Sequence, residues 1–361
     1  MKILFIDQYN TIGGGQTVLI QLINISLEKN WEVSLMIPPG GELKSQISSK
    51  VKIIPLHGLN LKQKKGLRDY LQLILFTFLF FQYYKVLKNN NLVYVNGPRC
   101  FIPVAFVSIF LRTRIIYHIH LLHKGVEKKI ISYISKLKNT FRIVVNSEFI
   151  YQVQEPTVSR GKLYLLENTL PEKYNKLSFI NRFNSEKLNF TIIGRVSEEK
   201  GQHLLPSIAR QFPDYKFYII GDKDFASAGY FEKLKEEAPS NMIFCGKSGN
   251  IIETINTLRI HISLIPSMVE ESFGLVAVES MACSCLTIVS EKGGLSEIAQ
   301  RTNAITFTSS HDLMHQIRKI ANESKEKLAE LALQQFTLTK NHYNFEKFRS
   351  CFIKLVDQAN G

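Results

Sequence analysis

A chain of 361 residues, 45% of them apolar, exceeds one ordinary domain and can bury a sizeable core in each of two. It contains no low-complexity tract and no internal repeat, which excludes a disordered chain and a solenoid, and five cysteines, an odd number in a large chain, argue against a disulfide framework. The net charge of +14 is one-sided: residues 1–170 hold 22 Lys and Arg against 9 Asp and Glu, and the remainder holds 23 against 22.

The first element is a strand, Ile3–Asp7, with no charged-then-apolar-then-small layout before it, so no secretory leader is expected and a cytoplasmic protein is. Short apolar runs then alternate with segments of helical period. The strands expected in the first half are Ile3–Asp7, Val33–Ile37, Leu92–Asn96, Ile115–His120 and Arg142–Asn146. In the second half they are Asn189–Gly194, Lys216–Gly221, Met242–Cys245, Ile260–Ile265 and Leu286–Ser290. Helices fit between them, among them Thr17–Glu28, Gln202–Gln211 and Phe273–Cys283. This rhythm, occurring twice, predicts an α/β protein with two Rossmann-like, doubly wound domains facing a deep cleft, where a ligand binds at the carboxyl ends of the strands. The expected domains are 1–171 and 189–340, with 172–188 as linker. Residues 341–361 form an amphipathic helix that closes the chain and packs back toward the N-terminal domain.

The segment Tyr70–Tyr84 (YLQLILFTFLFFQYY) is apolar nearly all the way round. It is flanked by Lys62, Lys64, Lys65 and Arg68 on one side and by Lys85 and Lys88 on the other. It is shorter than the roughly 20 residues of a spanning helix. Two readings stand: a helix buried in the N-terminal domain, or an interfacial helix with basic residues meeting anionic lipid. A second apolar run, Phe101–Leu111, is bracketed by Arg99, Arg112 and Arg114, and no acidic residue occurs between Asp69 and Glu127. The basic half therefore points to an anionic membrane surface, although solubility alone would also account for the charge. Nucleic acid is not expected, because no nucleic-acid motif accompanies it.

The chemistry concentrates in residues 271–279, ESFGLVAVE, after the strand ending near Pro266. Glu271 sits in a loop and Glu279 two turns into a helix, so both can face one ligand. Phe273, Gly274, Leu275 and Val276 place free backbone N–H groups at a helix N-terminus, where anions bind, and Gly274 lets that backbone come close. Carboxylates suit sugar and ribose hydroxyls. Gly194 and Arg195 end another strand, and Lys200 follows in the next turn. Arg195 and Lys200 together suit a diphosphate, Arg as a bidentate donor and Lys as a point charge, so no divalent metal is needed. Cys283 and Cys285 lack a partner pair or a His cluster and read as packing.

In this arrangement the chain resembles the family-four retaining glycosyltransferases of GT-B fold. The resemblance runs through Gly194-Arg195 and Lys200-Gly201, Gly221-Asp222, Pro266-Ser267, Glu271 to Glu279, Met281 to Cys283, and Gly293 to Glu297. In the first half it takes in Gly13 to Gly15, His118 and His120, and Asn146 to Glu148. It implies that Arg195 and Lys200 bind the donor diphosphate and that Glu279 holds the ribose. Glu271, with the Phe273–Leu275 backbone, would hold the transferred sugar. Gly14 and Gly15 would let backbone approach phosphates or acceptor, and His120 would stand on the acceptor side. Gly221–Asp222 and Phe244–Lys247 would line the base pocket.

Three positions depart from the family pattern: Ser284 and Cys285 after Cys283, Leu121 in place of an acid after His120, and Thr169 in place of glycine after Asn168. The first affects packing, and the second leaves the local network at His120 open. The implied activity is retaining transfer of a hexose from a nucleoside-diphosphate sugar, uridine diphosphate being favoured over guanosine diphosphate. The acceptor would be a lipid-linked glycan of a bacterial surface polysaccharide at the inner face of the membrane. The donor is a co-substrate, and no cofactor is expected. A nucleotide-sugar epimerase, a glycan phosphorylase or a non-catalytic sugar-binding subunit are the other readings.

Overall fold

The computed structural model describes residues 1–58, 67–185, 187–223 and 227–360, with the backbone alone at 67–70. Lys62, Lys64 and Lys65, expected to flank the apolar helix, lie outside the described residues. The chain divides into two compact units, Met1–Pro171 with Glu346–Gly361, and Glu172–Phe345.

In the first unit the described strands are β1 (Lys2–Ile6), β2 (Glu32–Ile37), β3 (Lys52–Pro55), β4 (Leu92–Val95), β5 (Arg114–Ile119), β6 (Thr140–Val145) and β7 (Leu163–Leu165). They form one parallel sheet in the order β3-β2-β1-β4-β5-β6-β7. Both faces are covered, so the strands are apolar without alternation: Ile3, Leu4, Phe5 and Ile6 are all buried. Period two turns Leu4 and Ile6 to a cluster with Val93, Val95, Tyr117 and Ile119, capped by Phe76, Phe80 and Phe101. On the opposite face Phe5 and Tyr94 are 5.4 Å apart between centroids, and Phe352 of the helix Phe345–Asn360 meets Tyr94 at 6.1 Å. That helix is fastened further by Arg349 to Glu28 at 3.0 Å and by the Tyr164 hydroxyl donating to the Cys351 carbonyl at 3.0 Å.

The second unit holds β8 (Asn189–Ile193), β9 (Lys216–Ile220), β10 (Met242–Gly246), β11 (Ile262–Ile265), β12 (Leu286–Ser290) and β13 (Ile305–Phe307). These too are parallel, in the order β10-β9-β8-β11-β12-β13. Phe190, Phe217, Ile262, Leu264, Leu286 and Ile288 build its core with the helices Leu205–Gln211 and Ser310–Ala321. The stretch 172–188, expected as a linker, is tied to this unit. Phe183 and Leu188 enter its core, the Arg182 Nε donates to the Cys283 carbonyl at 3.0 Å, and Lys340 Nζ donates to the Tyr174 carbonyl at 2.6 Å.

In each sheet the direction in which strands are added reverses once, between β1 and β4 and between β8 and β11. The carboxyl ends of the strands at such switch points are the general ligand position in sheets of this kind. Among the described residues no helix is long and apolar enough to cross a membrane.

Candidate active site

At the switch point of the second unit, β8 delivers Gly194 and Arg195, and β11 delivers Pro266, Ser267 and the loop to Glu271. Gly194 has φ +143°, open only to glycine, and the adjacent Gly221 packs so tightly that a Cβ would stand 1.7 Å from the Gly194 carbonyl oxygen. The turn after Arg195 is pinned by Gln202, whose Nε2 donates to the Arg195 carbonyl at 2.9 Å. Gly201, at φ +72°, lies against the Pro266 carbonyl, and the Met268 N–H donates to the Glu199 carbonyl at 2.8 Å. The two loops are thereby locked together.

This lock brings Lys200 Nζ to Glu271 Oε1 at 2.5 Å, and the same oxygen accepts from the Ser267 hydroxyl at 2.5 Å. Burial pushes the Glu271 carboxyl up, but Lys200, Ser267 and Arg195 outweigh it, so the group lies below the usual carboxylate range and is ionised. The Gly294 N–H donates to the Glu271 carbonyl at 2.7 Å, which fixes the backbone as well. Arg195 itself is exposed.

The helix Leu275–Ala282 starts from Gly274 at φ +114°, where a Cβ would meet Leu295 at 2.5 Å. Leu275 and Val276 are half-buried, while the Phe273 ring is buried, edge-on to Tyr343 at 5.4 Å. Phe273 can therefore offer a ligand its backbone only. Glu279, on the same helix, has a separate set of neighbours. Burial raises its carboxyl to about 7, against the pull of Lys173 and of the Tyr174 hydroxyl, which donates to it.

The first unit carries its own polar constellation at the switch point. Asp7 follows β1, Asn96 follows β4 and His120 follows β5. Asn96 Nδ2 donates to Asp7 Oδ2 at 2.5 Å, and Gln16 Nε2 donates to both Asp7 oxygens at 3.1 and 3.0 Å. With its amide nitrogen committed to Asp7, Asn96 presents Oδ1 to His120 Nε2 at 2.7 Å. The imidazole proton is thus assigned to Nε2. Burial drops the His120 pKa to about 3, so the ring is neutral. Burial also raises the Asp7 carboxyl, held back by Asn96, Tyr9 and Gln16. Gly15 lies beside the His120 ring, which a Cβ there would touch at an ordinary contact distance of 3.4 Å, and its carbonyl accepts from Asn96 Nδ2 at 3.3 Å.

A family model described as "Glycosyl transferases group 1" matches residues 173–334, the stretch that holds Arg195, Lys200, Glu271 and Glu279. These residues are similar to the group 1 glycosyl transferases. The whole chain is similar in fold to the structure of Anabaena Alr3699/HepE in complex with UDP-glucose, with a TM-score of 0.82 at 18% identity over 99% of this chain and 100% of that one. The fold is GT-B. In sequence the chain is 26% identical over 226 residues to an uncharacterized 41.2 kDa protein in the cps region of Klebsiella pneumoniae, covering 60% of this chain and 57% of that protein. It is 27% identical over 240 residues to the lipopolysaccharide 1,2-N-acetylglucosaminetransferase of Salmonella typhimurium, covering 59% of this chain and 61% of the relative. The matched stretches thus span about three-fifths of the length of these curated relatives.

Within the second unit the structure gathers Gly194, Arg195, Lys200, Gly221, Glu271 and the Phe273–Val276 stretch around one switch point, with Glu279 on the helix behind. Gly14, Gly15 and His120 belong instead to the other unit. Sequence reasoning gave no role to Ser267, Tyr174 and Lys173, nor to Asp7, Gln16 and Asn96. For Asp7 and Asn96 a signal existed: each is a polar residue closing an otherwise apolar strand. Leu121, where the family has an acid, is 59% exposed, and the network at His120 is completed by Asn96 and Asp7 from neighbouring strands.

Proposed function

We propose that the protein is a retaining glycosyltransferase that moves a hexose from a nucleoside-diphosphate sugar, UDP-sugar by preference, to a lipid-linked glycan of a bacterial surface polysaccharide. The observation that carries this reading is the convergence of Lys200, Ser267 and an ionised Glu271 beside Arg195 at the switch point of the second unit. Two cations next to a fixed carboxylate match a donor whose diphosphate is anionic and whose sugar offers hydroxyls. The N-terminus of the Leu275–Ala282 helix adds free N–H groups for the same phosphate. The similarity to a lipopolysaccharide N-acetylglucosaminyltransferase and to a protein of a cps region supports the polysaccharide setting.

In the proposed step the bond from the anomeric carbon to the β-phosphate oxygen breaks while the acceptor oxygen bonds to the same face of that carbon. The acceptor proton passes to the departing phosphate oxygen. Arg195 and Lys200 stabilise the charge that grows on the leaving diphosphate, which needs no divalent metal on this reading. Glu271 orients the sugar, Glu279 the ribose, and the N-terminal unit takes the acceptor with neutral His120 as a hydrogen-bonding group.

The test is a panel of nucleotide sugars with membrane lipid extract, with and without EDTA, read as released nucleoside diphosphate. One donor should turn over, EDTA should not matter, and Arg195→Ala and Lys200→Ala should each lose about 100- to 1,000-fold in kcat/KM. A donor that is isomerised without acceptor would replace the transferase reading by an epimerase.

A further inference from the structure

Leu67–Leu79 is a helix with two apolar sides. Inward, Phe76 and, in the turn that follows the helix, Phe80 are 2% and 0% exposed and meet edge-on at 5.6 Å within the core. Outward, Leu71, Ile74, Leu75 and Phe78 are 60%, 56%, 59% and 61% exposed. Their spacing, i, i+3, i+4 and i+7, makes one stripe. Ile109 and Phe110, 64% and 56% exposed just past the helix Phe101–Ser108, continue that surface. Ring contacts join the two stretches: Phe78 meets Phe106 at 5.5 Å and Phe81 meets Phe110 at 5.6 Å, while Phe106 and Phe110 pack on each other at 6.2 Å. Large apolar side chains gathered this way on a surface mark an interaction site.

The charge around the patch names the partner. Lys88 Nζ lies 5.9 Å above the Tyr84 ring, and Tyr84 is stacked on Phe81 at 5.5 Å, so this cation belongs to the rim of the patch. Lys85 and Arg112 are exposed on the same stretch of chain, and from residue 70 to 126 the sequence contains no Asp or Glu. A protein interface of mixed charge would have no need of so long an acid-free stretch of sequence, whereas an anionic lipid surface repels every acid and attracts every cation. The helix, about 20 Å long at 1.5 Å per residue, suits a position in the plane of the headgroups rather than across the bilayer.

We infer that this face of the N-terminal unit docks on an anionic bilayer, with the outward stripe of Leu67–Leu79 and the Ile109–Phe110 corner inserted among the lipids. This gives the proposed transferase its membrane partner and rests on that reading for its biological sense alone. The test uses neither donor nor acceptor, so the two can fail separately.

Full-length protein is floated with vesicles of phosphatidylglycerol and phosphatidylethanolamine, and with vesicles of phosphatidylcholine only. Binding should be confined largely to the anionic vesicles and fall severalfold between 50 and about 300 mM salt, where the Debye length shortens. A Phe78→Asp, Ile109→Asp variant should lose at least tenfold in bound fraction while its thermal unfolding curve matches that of the parent, since both side chains are exposed. A Lys85→Gln, Lys88→Gln variant should lose binding at low salt and resemble the parent at high salt. Ile109→Trp should gain quenching by brominated lipid over the parent, which reports insertion directly. Absence of vesicle binding, binding untouched by the aspartates, or a dimer in solution that the aspartates break apart would overturn the inference.

Discussion

Ser284 occupies a left-handed backbone position, φ +64°, where a side chain costs on the order of 1 kcal/mol. Its hydroxyl offsets that cost by accepting from the Ile180 N–H at 3.0 Å, which holds the stretch after Pro171 to the body of the second unit. Ser284→Ala keeps the strain and loses the bond, and should cost about 1–2 kcal/mol in urea unfolding. Ser284→Gly relieves the strain and should cost less than Ser284→Ala; equal losses would remove the hydrogen bond from the account. Glu279 sets a second, pH-dependent test. With a folded value of about 7 against an ordinary 4.5, the folded chain keeps a proton that the unfolded chain has released between those pH values. Stability therefore falls as pH rises through that window. Glu279→Gln should match the parent near pH 4 and be the more stable by on the order of 1–2 kcal/mol above pH 7. UDP binding should behave oppositely, tightening from pH 6 to 8 in the parent as the carboxylate becomes able to accept from ribose, and staying flat in the variant. Calorimetric titration checks both halves. These residues show what a sequence can and cannot convey. The Gly-Arg, Lys and Glu positions were legible because each fills a spaced slot near a strand end. The contact of Tyr174 with Glu279 spans more than a hundred positions of chain and leaves no local trace, and Asn96 next to His120 exists only because β4 and β5 are neighbours in the sheet.

For the secondary structure, apolar runs buried on both faces were read to within a residue or two, as at β8, β9 and β12. The strands that escaped are β3, β7 and β13, all at sheet edges and only three or four residues long. An edge strand has one neighbour and a half-open face, so its composition drifts toward that of a loop; Lys52–Pro55 has no fully buried residue. The apolar helix near residue 75 resisted a single reading for a related reason: its inner face is core and its outer face is surface, so composition alone could not choose. Strand ends also carry the strictest packing. At Gly221 an added methyl would overlap the Gly194 carbonyl, and β8 and β9 would have to part where Arg195 is held. Gly221→Ala should cost about 3 kcal/mol or more and weaken UDP binding out of proportion to its effect on unfolding. Tight UDP binding by this variant would show that the turn does not position the cations.

The molecule as a whole is two units threaded by a chain that leaves the first at Pro171 and re-enters it at Glu346. The returning helix is structural for the first unit: Phe352 is fully buried and meets Trp31 at 6.3 Å as well as Tyr94. Phe352→Ala should destabilise by about 3–5 kcal/mol. Hydrogen exchange should localise the loss, with β1 and β4 exchanging faster and β8 and β12 unchanged; faster exchange throughout would mean that the units unfold together. The same threading has a consequence on the ribosome. At 5–20 residues per second, roughly 10–35 s separate synthesis of Pro171 from arrival of the helix that covers Tyr94. Through that interval the nascent N-terminal sheet waits without the helix that covers Tyr94 while residues 172–345 emerge behind it. A cell making this protein must therefore shelter the half that is translated first, and a slow stretch of codons near residue 346 would lengthen that exposure.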